Sequence, residues 1–440
     1  MNYRIMVHSL GSLLVLLGVL MATAAVPSIG FEDGALLAVV GAAAATMAAG
    51  IVARRLSAPA PGDFSFREGF AIAALGWTVA GLFGALPYLF SGAIPGVIHA
   101  CFESVSGFTT TGATILADIE RLPPSLLYWR SLTQWLGGMG ILVLVVAILP
   151  LLGVGGMQLF RAEVPGPVKD RLLPRIQDTA KLLWGVYILL TAAAAATLAL
   201  LGMPAFEAIC HALTCLSTGG FSPKNASLGH YRSAVQWVVV VFMFLGGVNF
   251  SLHYFALRGR AVRYLRSEEF LFYVLVLVVA AGVIAICNSG ARDLGLADQL
   301  RHAVFQSVSI CTTTGYGTDD FELWPTGSQV VLLTLMFIGG CSGSTAGGFK
   351  CVRVLLLIKH AYVQLFRLVH PHAVRHVKVD YKLVPQEVMQ SILGLFALYA
   401  MAMFTATLIL AAQGLDLVTA ASSVITCLSN VGPGLGDVGP

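Results

Sequence analysis

The sequence predicts an all-α integral membrane protein. Four pseudo-symmetric repeats, each a span, a half-helix, a polar glycine-containing turn and a second span, follow a two-helix N-terminal hairpin, and the fourth repeat lacks its last span. Three observations carry this. The 440 residues are 57% hydrophobic and only 11% charged, with a mean hydropathy of +0.83, too little charge to clothe a soluble surface of that size. Apolar runs of about 20 residues, the length that crosses a bilayer, recur from end to end. One polar, glycine-bearing pattern also returns four times at the same place relative to those runs.

Taken in chain order, spans are expected at 6–28, 35–53, 68–92, 126–152, 180–202, 233–257, 269–288, 327–358 and 386–412. The first run is too long for the apolar part of a cleavable signal and is followed by Glu32 and Asp33. Shorter apolar stretches at 96–111, 204–219, 297–314 and 416–431 cannot cross and fit re-entrant half-helices. The expected organisation is 1–62 for the hairpin, then repeats at 63–160, 175–262, 266–368 and 383–440. Charge tests this layout. Only Arg121, Arg130, Lys224, Arg232, Arg292 and Arg301 of the 26 Lys and Arg fall on the side to which the half-helices open. The basic side is cytoplasmic by the positive-inside rule, so the N-terminus is expected there. Carboxylates such as Asp118, Glu120, Asp319 and Asp320 on the outer side would concentrate cations at a mouth, or are ordinary solvated loop acids.

The repeat is visible by eye. Phe102-Glu-Ser-Val-Ser-Gly-Phe-Thr-Thr-Thr-Gly112 and Phe305-Gln-Ser-Val-Ser-Ile-Cys-Thr-Thr-Thr-Gly315 agree at eight of eleven positions. Thr214-Cys-Leu-Ser-Thr-Gly-Gly220 and Thr426-Cys-Leu-Ser-Asn-Val-Gly432 agree at five of seven. Non-helical backbone at membrane depth survives only where it is buried in protein or lines a wet cavity. Four such turns around one axis would make a central pore ringed by neutral carbonyl and hydroxyl oxygens, the ligand set of a dehydrated potassium ion. Glycine allows the positive φ that aims successive carbonyls one way, and the C-terminal end of each half-helix favours a cation. The five-residue turns hold no carboxylate, which argues for a monovalent ion over calcium.

At these residues the chain resembles the Trk/Ktr/HKT superfamily of potassium transporters, closest to the bacterial TrkH/TrkG branch. The resemblance covers nearly the whole chain. It implies a potassium-binding filter at Thr110, Thr111, Gly112, Thr218, Gly219, Gly220, Thr313, Thr314, Gly315, Asn430, Val431 and Gly432. In HKT relatives a serine at the first filter glycine goes with sodium transport, so Gly112 implies potassium. The run Gly339-Gly-Cys-Ser-Gly-Ser-Thr-Ala-Gly-Gly348 breaks the span at 327–358, since five glycines cannot hold a lipid-facing helix. By resemblance it is an intramembrane gate, with Gly340, Gly343, Ser344, Thr345, Gly347, Gly348 and Lys350 as its residues. The family unit closes with a second span, whereas the fourth unit here stops at Pro440, just after its turn. Relatives form homodimers in the bacterial inner membrane, and a cytosolic TrkA-type ring that binds NAD or ATP docks on the basic face. Those partners are implied by resemblance alone.

Other polar residues have milder readings. Glu103 and Gln306 sit nine residues before their glycines, as does His211. Glu103 and Gln306 are expected to support the filter, Glu103 as a brace or an ion-attracting group. His370, His372 and His376 belong to a solvated basic loop or, less simply, to a metal site. The basic segments 153–178, 258–268 and 368–384 suit anionic membrane lipid. No HExxH, GxSxG, strand-linked GxGxxG or phosphate-binding loop is present. A non-enzymatic transporter is expected, with potassium as cargo, no organic cofactor and no nucleic acid. Passive flux and coupling to sodium or protons both remain open at this stage.

Overall fold

The computed structural model describes residues 3–57, 66–140, 176–290 and 295–439. The inner half of the span read at 126–152, the end of the first repeat and most of the basic segment 153–178 lie outside the described residues. So does the junction between the hairpin and the first repeat. Contacts divide the chain into two units, one running through Ser227 and one from Leu228 onward.

The first unit holds α1 (Tyr3–Ala22), α2 (Ala25–Phe31), α3 (Leu36–Leu56), α4 (Phe66–Gly84), α5 (Leu86–Phe90), α6 (Val97–Phe108), α7 (Pro124–Gly138), α8 (Ile176–Leu200) and α9 (Ala205–Leu216). Helices α1 and α3 form the expected N-terminal hairpin. They touch through small residues: a Cβ at Gly50 would meet the Gly11 carbonyl at 2.6 Å, the close backbone approach that drives helix pairing in lipid. The stripe Leu13, Leu14, Leu17 and Met21 packs against Val39, Ala42 and Ala43. The half-helix α6 lies between α4 and α7. The Trp129 indole on α7 donates to the Gly84 carbonyl at 2.9 Å where α4 ends, giving a freed carbonyl its partner.

The second unit holds α10 (Ser233–Gly246), α11 (Phe250–Leu257), α12 (Val262–Arg266), α13 (Glu268–Asn288), α14 (Leu296–Cys311), α15 (Thr326–Ile338) and α16 (Cys351–Val369). A short hairpin of β1 (Lys378–Val379) and β2 (Lys382–Leu383), α17 (Gln386–Ala412) and α18 (Leu417–Ser429) complete it. Among the described residues, six helices are long and apolar enough to cross a membrane. The four short stretches are indeed short helices, α6, α9, α14 and α18, each running into a polar turn.

One expectation needs correction. The span read as continuous over 233–257 is bent by 103° between α10 and α11. Asn249 starts a new helix there, its side chain accepting from the Ser251 amide at 2.8 Å. Arg130, expected near the outer end of the span at 126–152, is 1% exposed inside the first unit. Its carboxylate partner lies on the neighbouring half-helix, and that explains the burial.

Candidate functional site

Each of the four half-helices stops in the same way. The amides of Thr110, Thr218, Thr313 and Asn430 donate to the carbonyl three residues back, and those of Thr111, Gly219, Thr314 and Val431 to the carbonyl five back, at 2.8–3.3 Å. This paired closure is the Schellman stop, in which one residue must turn left-handed. That residue is usually glycine. Here it is Thr110, Thr218, Thr313 or Asn430, with φ between 54 and 59°, at a cost of about 1–2 kcal/mol each relative to glycine. The filter glycine follows two positions later, with φ of 77, 78, 80 and 101° at Gly112, Gly220, Gly315 and Gly432. Left-handed residues thus alternate with ordinary ones. Carbonyls that would point to opposite sides of an extended strand are turned toward one side.

A hydroxyl six residues before the glycine fixes the far end of three turns. Ser106 donates to the Ala113 carbonyl at 2.5 Å, Ser309 to that of Tyr316 at 2.7 Å, and Thr426 to that of Pro433 at 3.1 Å. The turns lie in neighbouring pairs within each unit. A Cβ at Gly112 would collide with the Gly219 carbonyl oxygen, and one at Gly315 with that of Val431. These two glycines are therefore required by space as well as by φ.

In the first unit the pair is held by side chains. Glu103 is fully buried on α6. Its carboxylate accepts from Thr114 Oγ1 at 2.9 and 3.0 Å, from the Ile115 amide at 3.2 Å and from Arg130 Nε at 2.8 Å, with Arg130 Nη2 at 2.7 Å. Those partners are the strand leaving the first turn and the next helix. The Arg130 guanidinium also lies 3.9 Å from the Phe221 ring centre, a cation over the strand leaving the second turn. One helical turn on, Gln134 donates to the Gly219 carbonyl at 2.6 Å and accepts from the Phe221 amide at 2.9 Å. His211 reaches Ser222 Oγ at 3.2 Å. Gln134 was not singled out from sequence. Its signal was there: Arg130 and Gln134 are four apart, so they share one face of α7.

In the second unit the equivalent pair touches the glycine-rich segment 339–350. That segment closes at a neck, where Phe349, Lys350 and Cys351 amides donate to the carbonyls of Phe337, Ile338 and Gly340 at 2.9–3.0 Å. Gly339 and Gly348 face each other there so closely that a Cβ on Gly348 would stand 2.7 Å from the Gly339 Cα. Beyond the neck the loop meets the break between α10 and α11. The Cys341 amide donates to the Gly247 carbonyl at 2.8 Å, Thr345 Oγ1 to the Gly246 carbonyl at 3.0 Å, and the Phe250 amide to the Gly343 carbonyl at 3.0 Å. Two interrupted helices thus satisfy each other's backbone, which the apolar surroundings require.

The loop also reaches both turns. The Gly347 amide donates to Thr313 Oγ1 at 2.6 Å, and the Gly348 amide to the Ser429 carbonyl at the end of α18 at 2.9 Å. Thr345, Gly348 and Lys350 of the expected gate all take part in this packing or the neck, and Lys350 Nζ bonds the Ala346 carbonyl. Ser344 bonds inside the loop, to the Cys341 carbonyl at 2.5 Å. Gln306, the counterpart of Glu103, is 1% exposed, and neither of its side-chain polar atoms is hydrogen-bonded among the described residues.

Residues 38–439 match the family described as TrkH, cation transport protein. The chain is 42% identical over 446 residues to the Trk system potassium uptake protein TrkH of Salmonella typhimurium, covering all of this chain and 92% of that one. It is 39% identical over 377 residues to the Escherichia coli protein TrkG, covering 84% of this chain and 77% of that one. Among solved structures, the potassium transporter TrkH from Vibrio parahaemolyticus superposes with a TM-score of 0.89 at 38% identity, over all of this chain and 92% of the other.

Proposed function

Because the chain belongs to the TrkH family of cation transport proteins, we propose that it is the membrane subunit of a potassium-uptake system of the Trk type, a multi-pass inner-membrane transporter and not an enzyme. The single observation that supports a filter most directly is the fourfold recurrence of one turn geometry, with its left-handed residue and its left-handed glycine, in neighbouring pairs. The carbonyls of Thr110, Thr111, Gly112, Thr218, Gly219, Gly220, Thr313, Thr314, Gly315, Asn430, Val431 and Gly432 line the potassium path, four turns around one pore. A ring of neutral oxygens replaces the ion's water.

Residues 339–350 act as the gate. The loop bonds both turns of the second unit through Gly347 and Gly348, so it stands beside the path, and its neck lets it move as one piece. Glu103 serves as a brace: its carboxylate is occupied by Thr114, Ile115 and Arg130, which leaves it no role as a free ion attractant. The basic cytoplasmic face receives a TrkA-type nucleotide-binding regulator and membrane lipid, the N-terminus is cytoplasmic, and the functional assembly is a homodimer.

The test is cation flux into liposomes carrying the purified protein, with potassium, rubidium and sodium compared. Potassium and rubidium should pass well ahead of sodium, and Gly112→Ser should erode that preference by about tenfold, because the new side chain must displace the Gly219 carbonyl. Selectivity indifferent to Gly112 would exclude the turns as the filter.

A further inference from the structure

The first turn of α13 begins Ser267-Glu268-Glu269. Two acids behind a serine read as ordinary helix-start chemistry, the serine capping and the carboxylates facing the positive end of the dipole. Ser267 does cap, accepting from the Phe270 amide at 3.4 Å. The two carboxylates do something else.

Glu269 is 9% exposed and points at the loop. Its Oε1 accepts from the Ser342 amide at 2.6 Å. It also lies within electrostatic reach of Lys350 at the far end of the loop. One carboxylate therefore holds the loop by a backbone amide three residues past its first glycine.

Glu268 faces the other way. It pairs with Lys359 two turns along α16, and Lys359 Nζ also bonds the Lys378 carbonyl of β1 at 2.8 Å. The Glu268 amide is capped in turn by Asp380 Oδ1 at 2.8 Å. Asp380 and Tyr381 form the tip of the β1–β2 hairpin, both left-handed, and Tyr381 is 91% exposed. Val379 of that hairpin is buried in one cluster with Phe349, Val352 and Leu356. Hairpin, helix start and loop are joined by consecutive hydrogen bonds and by one apolar cluster.

We propose that Glu268 and Glu269 form a two-point latch: Glu269 holds the loop in place, and Glu268, through Lys359 and Asp380, ties that hold to the cytoplasmic hairpin, so that displacing the hairpin frees the loop. This rests on the reading of 339–350 as the gate. Neither glutamate touches the filter turns in this arrangement, so both are positioning residues. Release of the latch changes how often the path is open and leaves ion preference alone.

The experiment is potassium flux in liposomes with the full chain. It compares wild type, a variant with 342–346 deleted, Glu269→Ala, Glu269→Gln, Glu268→Lys and the swap Glu268→Lys/Lys359→Glu. Glu269→Ala should raise basal potassium flux by about tenfold, the factor that one charge-assisted hydrogen bond commands, toward the value of the deletion. The ratio of potassium to sodium should not change. Glu268→Lys should raise flux less, and the swap should return it to wild type. If Glu269→Ala cannot be purified folded, Glu269→Gln serves, with maleimide modification of Cys341 as a second readout. Cys341 is 1% exposed beside Ser342, so a freed loop should react several-fold faster. A deletion that raises flux while both Glu269 variants leave flux and Cys341 reactivity at wild-type values would overturn the latch. A deletion that leaves flux unchanged would instead remove the gate reading on which the latch rests.

Discussion

The two pairs of turns have the same backbone and opposite supports. In the first unit the turns are braced by side chains from the following helix, Arg130 and Gln134, working with Glu103. Counting from the N-cap prolines Pro123 and Pro325, those two positions become Leu332 and Met336 in the second unit, and Glu103 becomes Gln306. There the backbone of a loop reaches the turns through Gly347 and Gly348, and the Tyr399 hydroxyl adds one side-chain contact, to Ser429 Oγ at 2.6 Å. Buried charge fixes a structure, because neither partner can leave the other without a large penalty. Amide hydrogen bonds from a loop are individually modest and can be exchanged. The difference assigns rigidity to the first pair of turns and mobility to the second.

The comparison can be broken most severely at Arg130. Arg130→Met strands the Glu103 carboxylate in the interior, and the loss should reach about 3–5 kcal/mol, seen as a large fall in melting temperature or a failure to yield monodisperse protein in detergent. The double change Glu103→Gln/Arg130→Met imitates the second unit and should recover most of that loss. If it recovers nothing, the ion pair is not what separates the two halves. Gln134→Met, which copies Met336, leaves the buried Phe221 amide unpaired. It should lower stability by about 1–3 kcal/mol and blur the preference for potassium over sodium in the flux assay.

Thr313→Val sharpens the contrast from the other side. It removes the acceptor for the Gly347 amide while keeping shape, and a loss of about 1 kcal/mol should raise basal flux several-fold with selectivity kept. The same change at Thr110 or Thr218, whose hydroxyls bond only the preceding carbonyl among the contacts described, should not raise flux. The smallest effect is expected at the outer loop. The Asn225 amide, and after it the Arg121 guanidinium, hold the Asp118 carboxyl below its ordinary value. A depressed carboxyl contributes above the unfolded value near 4 and loses that contribution as pH falls through the folded value. Asp118→Asn should therefore melt about a degree below wild type from pH 6 to 8, with the gap closing in acid. A gap that widens in acid would contradict that linkage.

Much of this was legible in the sequence. Length and apolarity gave the spans, and the threonine-glycine runs gave the turns, because both are local signals of composition and spacing. The bend at Asn249 was hidden, since an apolar run with one asparagine also reads as a straight helix, and the loop that pairs with the bend lies about 90 residues away. The left-handed threonines were hidden too: threonine has no propensity for that conformation, and only the pull of two backbone hydrogen bonds places it there. The role of Arg130 was hidden because its partner is 27 residues distant, beyond any helical spacing that pattern reading can test. Glu269 was invisible for a related reason: its partners belong to a loop more than 70 residues downstream.

The Glu103–Arg130 pair also has a consequence for biogenesis. An arginine facing lipid without a partner opposes insertion by about 2.5–3.5 kcal/mol at a helix centre. Its partner is made first, 27 residues earlier, on the twelve-residue half-helix α6. If the two pair before either meets lipid, neither carries a bare charge into the membrane. The first turn lies between them in the chain, so pairing during synthesis closes that turn before the second one has been made.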